Sequence, residues 1–143
     1  MTTDPISQMS ARLERQTVRG DDRGNLVAIE ALRDVPFDIA RVYYLYGTDA
    51  GVARGFHAHR TLRQWAVCVS GSCTMLLDDG HAKEMVTLDD PAAGVAIPPM
   101  VWHEMRDFAP GTVLLVLADQ GYDEADYIRD YAAFRAALGP VPA

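Results

Sequence analysis

Between about Asn25 and Asp119 the chain is a succession of short apolar runs, broken at close intervals by turn residues, and no run has room for a helix between its neighbours. Leu26–Ile29, Ile39–Tyr46, Trp65–Val69, Cys73–Leu77, Met85–Leu88, Gly94–Ile97 and Thr112–Ala118 follow one another in this way. Many short β-branched and aromatic runs at such spacing predict an all-β sandwich or barrel. A parallel design would need a helix after each strand. Ser70-Gly71 reads as a tight turn. Asp79-Gly80 reads as a two-residue hairpin, because a type I′ turn requires positive φ at both central positions.

The tail departs from this pattern. Tyr127, Tyr131, Phe134 and Leu138 recur at helical spacing, with Asp123 as the cap and Gly139-Pro140 as the stop. A C-terminal helix over 123–138 is expected, laying its aromatics on the barrel as packing. The first fifteen residues are expected to be flexible or to pair with another subunit.

A chain of 143 residues, 49% of them hydrophobic, closes one core without staples, so one domain over 1–143 is expected. The net charge of -7 argues against a nucleic-acid partner. No stretch reaches the length of a membrane span, and no signal peptide is visible. Cys68 and Cys73 are too few for a disulfide framework and read as reduced core residues, which points to the cytoplasm.

The chemistry gathers in Arg54-Gly55-Phe56-His57-Ala58-His59. On a strand, His57 and His59 project from one face, and inside a barrel that face is the lumen. Their spacing from Gly51, Gln64 and Gly71 reproduces the first motif of the cupins, and Gly94, Pro98 and His103 the second. Metal-binding cupins place an acid where this chain has Gln64. A carboxamide brings no charge and is a poor ligand for a divalent transition metal, although three imidazoles alone can hold zinc. We therefore expect no metal, with the histidines free to move protons near neutral pH. Arg41 and Tyr43 share a face of the preceding run, and Tyr43 or Tyr44, not both, faces inward. Arg23, Arg33, Arg41, Arg54, Arg60 and Arg63 cluster in the first half of an acidic chain. Arginine forks near such a pocket suit a phosphate or pyrophosphate.

Arg23–Glu30, Arg41–Tyr44, Arg54–His59, Leu76–Gly80, Val101–Met105 and Tyr122–Arg129 together resemble the dTDP-4-keto-6-deoxyglucose 3,4-ketoisomerases, WxcM-like sugar-nucleotide cupins. The resemblance runs from about Arg23 to Leu138. It implies a cupin jelly roll, homodimeric with exchanged strands, that binds a dTDP-linked 4-keto-6-deoxy sugar. The carbonyl moves from C4 to C3 without cofactor, and the product supplies the makers of deoxyamino sugars. By position, His57 matches the main base, His59 the second histidine of the proton shuttle, and Tyr43 a tyrosine beside the hexose. Arg41 and Arg54 match arginines near the pyrophosphate. Arg23 and His103 match positions that divide subgroups, in the combination associated with a galacto-configured product. Gln64 is placed with the substrate-binding set. Rival readings are a sugar-nucleotide 3,5-epimerase, a metal-dependent cupin such as a dioxygenase, and a non-catalytic sugar-nucleotide-binding cupin.

Overall fold

The structure, a computed structural model, describes residues 13–139. Twelve strands and one short helix make it up: β1 Glu14–Arg15, β2 Arg19–Asp21, β3 Gly24–Leu26, β4 Arg41–Tyr46, β5 Arg54–His59, β6 Gln64–Ser70, β7 Cys73–Asp78, β8 Lys83–Leu88, β9 Ala93–Ile97, β10 Trp102–Arg106, β11 Val113–Ala118, β12 Tyr127–Ile128 and α1 Tyr131–Ala137. Two five-stranded antiparallel sheets, β1-β9-β6-β11-β4 and β12-β5-β10-β7-β8, hold most of the strands, and β2 and β3 form a separate ribbon. The architecture is the expected all-β jelly roll, with its sheets facing each other and not closed into a continuous barrel.

Alternation along each strand explains the core. Ala66 and Cys68 on β6, Val95 and Ile97 on β9, and Leu114 and Val116 on β11 turn inward from one sheet. Cys73, Met75 and Leu77 on β7, with Val86 and Leu88 on β8, meet them from the other. The alternate residues Trp65, Val67 and Leu117 point to the opposite face, where Val35 and Phe37 cover them. The first sheet is thus apolar on both faces because the 29–39 segment packs across its back. Gly94 has no alternative at its position, since a Cβ there would come within 2.3 Å of the Trp65 ring and 2.6 Å of the Ala66 carbonyl.

Several expectations are corrected. The run at Leu26–Ile29 is a strand only through Leu26; its later residue Ile29 packs on the covering cluster instead. The turn expected at Ser70-Gly71 is present, with Gly71 at φ +73°, and it carries the chain from one sheet to the other, since β6 and β7 belong to different sheets. Cys68 and Cys73 therefore meet across the core, as buried free thiols with Sγ atoms 3.5 Å apart. Asp79-Gly80 does lie between paired strands, but Asp78 pairs with Lys83, so the loop has four residues and not two. Asp79 Oδ1 accepts from the His81 and Ala82 amides, which closes the longer turn. Strand β10 went unrecognised in the pattern, because its inward positions include His103 in place of an aliphatic residue.

The largest correction is at the tail. The helix spans only Tyr131–Ala137, capped by Asp130, whose side chain accepts from the Ala133 amide. Asp123 caps a single 3₁₀ turn, Glu124–Asp126. Between them Tyr127 and Ile128 are extended and pair with His59 and Ala58. Sheet pairing at the edge of β5 overrides helical periodicity here. Residues 1–12 of the expected flexible or exchanged segment lie outside the described residues; Glu14 and Arg15 pair with Gly94 and Ala93.

Candidate active site

The site is built on β5. Its odd positions turn inward, while Ala58 packs outward against Trp102, Ile128 and Phe134. Just before His57 the strand is irregular: Gly55 has φ +94° and Phe56 φ +57°. His103 pairs with His57 and Glu104 with Gly55, so Phe56 is the extra residue of a bulge. Bulges re-aim side chains next to functional sites. This one brings His57 over His103, with ring centroids 4.4 Å apart.

His57, His59 and His103 form one cluster in which one ring nitrogen from each lies within 4.8 Å of the others. The Nδ1 of each ring faces an oxygen: the Gly55 carbonyl at 2.9 Å for His57, an Asp126 carboxylate oxygen at 3.2 Å for His59, and the Val101 carbonyl at 3.3 Å for His103. An Nδ1–H donating to each oxygen leaves the Nε2 lone pair open. Burial pushes the His57 imidazole below its ordinary value, against the opposing bond to Gly55. Burial and the His57 neighbour bring His59 down to about 4, with Asp126 opposing. Burial, then His57, takes His103 to about 3. At neutral pH all three rings are uncharged and ready to accept a proton.

A pocket of about 280 Å³ opens beside them, lined by Arg41, Tyr43, Arg54, His57, His103 and Tyr127 among others. Tyr43 is the inward member of its pair, while Tyr44 is exposed at the rim. The Tyr43 hydroxyl donates to the Gln64 carboxamide oxygen. Burial raises the Tyr43 phenol above its ordinary range, so it remains a hydrogen-bond donor. The Arg41 guanidinium lies 5.4 Å from the centroid of the Tyr43 ring, and its Nε has no partner among the described residues.

The group that could hold a metal is the histidine trio. Gln64, at the place of the acid in metal cupins, is buried to 1% exposure with its oxygen engaged by Tyr43. Among the described residues, the donor set facing the pocket thus has no carboxylate. It fits proton transfer better than tight binding of a divalent ion.

The structure therefore gathers six of the sequence-predicted residues, Arg41, Tyr43, Arg54, His57, His59 and His103, around one cavity or directly behind it, with Gln64 adjoining through Tyr43. Arg23 is not among them. It sits on the β2–β3 turn, largely exposed and paired with Asp21 at 2.5 Å. Two residues were missed. Tyr127, expected to pack as part of a helix, lines the pocket with its ring centroid 4.3 Å from His59 and 5.0 Å from His57. Arg129 covers it at 4.2 Å, held by Glu124 through two bonds of 2.8 and 2.9 Å. Asp126, the partner of His59, is the other. The signals for either were the density of acids and aromatics in Tyr122–Tyr127, which a helical reading absorbs, and the place of Tyr122–Arg129 among the stretches that carry the family resemblance.

Residues 9–139 match the family described as FdtA, WxcM-like, C-terminal. The TDP-4-oxo-6-deoxy-alpha-D-glucose-3,4-oxoisomerase of Aneurinibacillus thermoaerophilus is 50% identical over 121 residues, spanning 85% of this chain and 87% of that protein. A 3,4-ketoisomerase from Helicobacter canadensis superposes with a TM-score of 0.88 at 40% identity, covering 90% of this chain and 97% of the other. A histidine-to-asparagine variant of the 3,4-ketoisomerase QdtA from Thermoanaerobacterium thermosaccharolyticum, in complex with TDP-4-keto-6-deoxyglucose, gives 0.86 at 41% identity, covering 88% and 91%.

Proposed function

The chain belongs to the FdtA, WxcM-like family, and from that premise we propose that it is a sugar-nucleotide 3,4-ketoisomerase, converting a TDP-linked 4-keto-6-deoxyglucose to the 3-keto isomer. The observation that carries the reading is the row of uncharged imidazoles along one wall of a pocket that has Arg41 and Arg54 beside it.

The chemistry needs only proton transfers. His57 Nε2 removes the proton from C3, alpha to the C4 ketone, and the electron pair forms the C3=C4 double bond of an enediol intermediate whose charge rests on O4. The O3 hydroxyl proton then passes to O4, the C3 ketone forms as the double-bond electrons return to C4, and His57 gives its proton to C4. His59 relays the hydroxyl protons. Tyr43, whose hydroxyl hydrogen is given to Gln64, keeps its oxygen free to accept from a sugar hydroxyl and so orients the hexose. Arg41 and Arg54 grip the diphosphate, so that binding energy remote from the reacting carbons positions the ring. Gln64 steadies Tyr43, and His103 fills the wall behind His57.

The test is incubation of the purified protein with dTDP-4-keto-6-deoxyglucose and identification of the product by NMR. A carbonyl at C3 is expected. A carbonyl left at C4 with inverted configuration at C3 or C5 would make the protein an epimerase, and an unchanged sugar with tight binding would make it a binding module. With Arg23 and His103 in the combination linked to that branch, the product we assign has the galacto configuration at C4.

We further assign a homodimer that exchanges its N-terminal strands. Support comes from the outward face of β4, an edge strand, where Tyr44 is 62% and Tyr46 73% exposed in the single chain. Light scattering at micromolar concentration should give twice the chain mass of 15.7 kDa. The two free buried thiols are in keeping with the cytoplasm, and no helix among the described residues is long and apolar enough to cross a membrane.

A further inference from the structure

Asp126 enters the site from a short segment that otherwise looks like plain connection. The Glu124–Asp126 turn and β12 lay the chain along the free edge of β5. There the Asp126 backbone carbonyl accepts from the Arg60 amide at 2.9 Å. Its side chain is held harder still. Oδ1 accepts from the Thr61 amide at 2.8 Å and the Thr61 hydroxyl at 2.9 Å, and Oδ2 accepts from the Leu62 amide at 3.2 Å. The one remaining neighbour of Oδ2 is His59 Nδ1, also at 3.2 Å. Both groups are nearly inaccessible, at 9% and 3% exposure.

Three donors fix the carboxylate before the imidazole is considered, so its orientation does not depend on His59. Burial alone would raise the carboxyl, but the bonds from Thr61 and Leu62 bring it below its ordinary value, and it stays ionised. An ionised carboxylate in that geometry accepts only. The ring nitrogen facing it must carry the hydrogen.

We propose that Asp126 is the positioning residue of the isomerase: it locks His59 in the Nδ1–H form, with the Nε2 lone pair directed at His57 and the substrate. The inference deepens the ketoisomerase reading and rests on it for its catalytic consequence. In the opposite tautomer Nε2 would carry a hydrogen toward the pocket and could not accept the sugar's hydroxyl proton, so the relay would stop. Neutral His59 takes that proton on Nε2, becomes an imidazolium stabilised by the adjacent carboxylate, and hands the same proton to O4. No net charge or redox change results.

The test begins with the unsubstituted protein. In ¹⁵N-labelled protein at neutral pH, the His59 nitrogen shifts and two-bond couplings are expected to report hydrogen on Nδ1, and hydrogen on Nε2 would overturn the proposal. This reading needs no substrate, so a wrong tautomer and a wrong reaction are separate failures. Asp126→Asn is then expected to shift His59 toward the Nε2–H form and to lower kcat by about 100-fold with little change in KM. A folded Asp126→Asn that retains both kcat and the Nδ1–H signature would sink the idea. Should that variant not fold, Thr61→Val, which removes only the hydroxyl bond on Oδ1, is read by the same spectrum. A partial loss of the Nδ1–H signature together with kcat supports the proposal, and loss of thermal stability with both unchanged counts against it.

Discussion

The role proposed for His57 rests on two modest constraints, a carbonyl behind one nitrogen and the rings of His59 and His103 beside its own. With Gly55 holding Nδ1, the lone pair on Nε2 needs no further activation. His57→Asn keeps a similar shape and a hydrogen-bonding group but lacks a base. Turnover should fall by at least about 10²–10⁴-fold, the usual contribution of a positioned base, while TDP affinity measured by calorimetry stays close to wild type. Full activity in that variant would remove His57 from the role of base. Arg41 makes the complementary case. Its guanidinium reaches the pocket and keeps an Nε without a partner among the described residues, so Arg41→Ala should weaken TDP binding by about 1.5–3 kcal/mol, the range for a hydrogen bond to a charged group. Unchanged affinity would take it out of the phosphate site. The lowered His57 also has a kinetic signature: the acid limb of kcat/KM should lie below the ordinary histidine value of about 6.5, because the base stays neutral to lower pH.

At the scale of elements, the site is a property of β5 and of what flanks it. Gly55 has positive φ, and a Cβ there would come within 2.9 Å of the His103 carbonyl and 3.2 Å of the Glu104 Cα. Neither is the end of a flexible side chain. Gly55→Ala should therefore cost about 1–2 kcal/mol for the backbone conformation alone, and it should lower kcat by disturbing the bulge that aims His57. On the other side of β5, Phe134 is fully buried with Ala58, Trp102 and Ile128. Phe134→Ala should destabilise by about 3–5 kcal/mol in urea titration. A cost below 1 kcal/mol would mean that α1 does not support the strand. The legibility of these parts from sequence follows the same division. Period-two spacing was enough to put Arg41 with Tyr43, because β4 is regular, and His57 with His59, because the bulge of β5 lies before His57 and leaves the alternation after it intact. Tyr127 and Asp126 were lost because an aromatic every three or four residues reads as a helix, and only the pairing of Tyr127 with His59 across the edge of β5 decides otherwise. Arg23 shows the reverse case: position relative to a family motif selected it, but no local pattern can say whether a ribbon outside both main sheets reaches the pocket.

For the molecule as a whole, the same burial that keeps the histidines uncharged makes the fold sensitive to acid. In the unfolded chain His59 and His103 titrate near their ordinary value of about 6.5; in the folded chain they are held down to about 4 and about 3. Between those limits the unfolded state binds protons that the folded state refuses, so stability is complete above about pH 6.5 and is lost as pH falls toward 4. Each group contributes a slope approaching about 1.4 kcal/mol per pH unit once its unfolded form is fully protonated. Urea midpoints at pH 7.5, 6 and 5 should therefore fall progressively, before the carboxylates begin to titrate. Replacing His103 by Gln removes one of these contributions, to which the lowered His57 also adds, so that variant should show a shallower decline over the same range whatever its stability at neutral pH. If the slopes of variant and wild type are equal, the acid sensitivity belongs to other groups, and His103 is not held neutral in the folded protein.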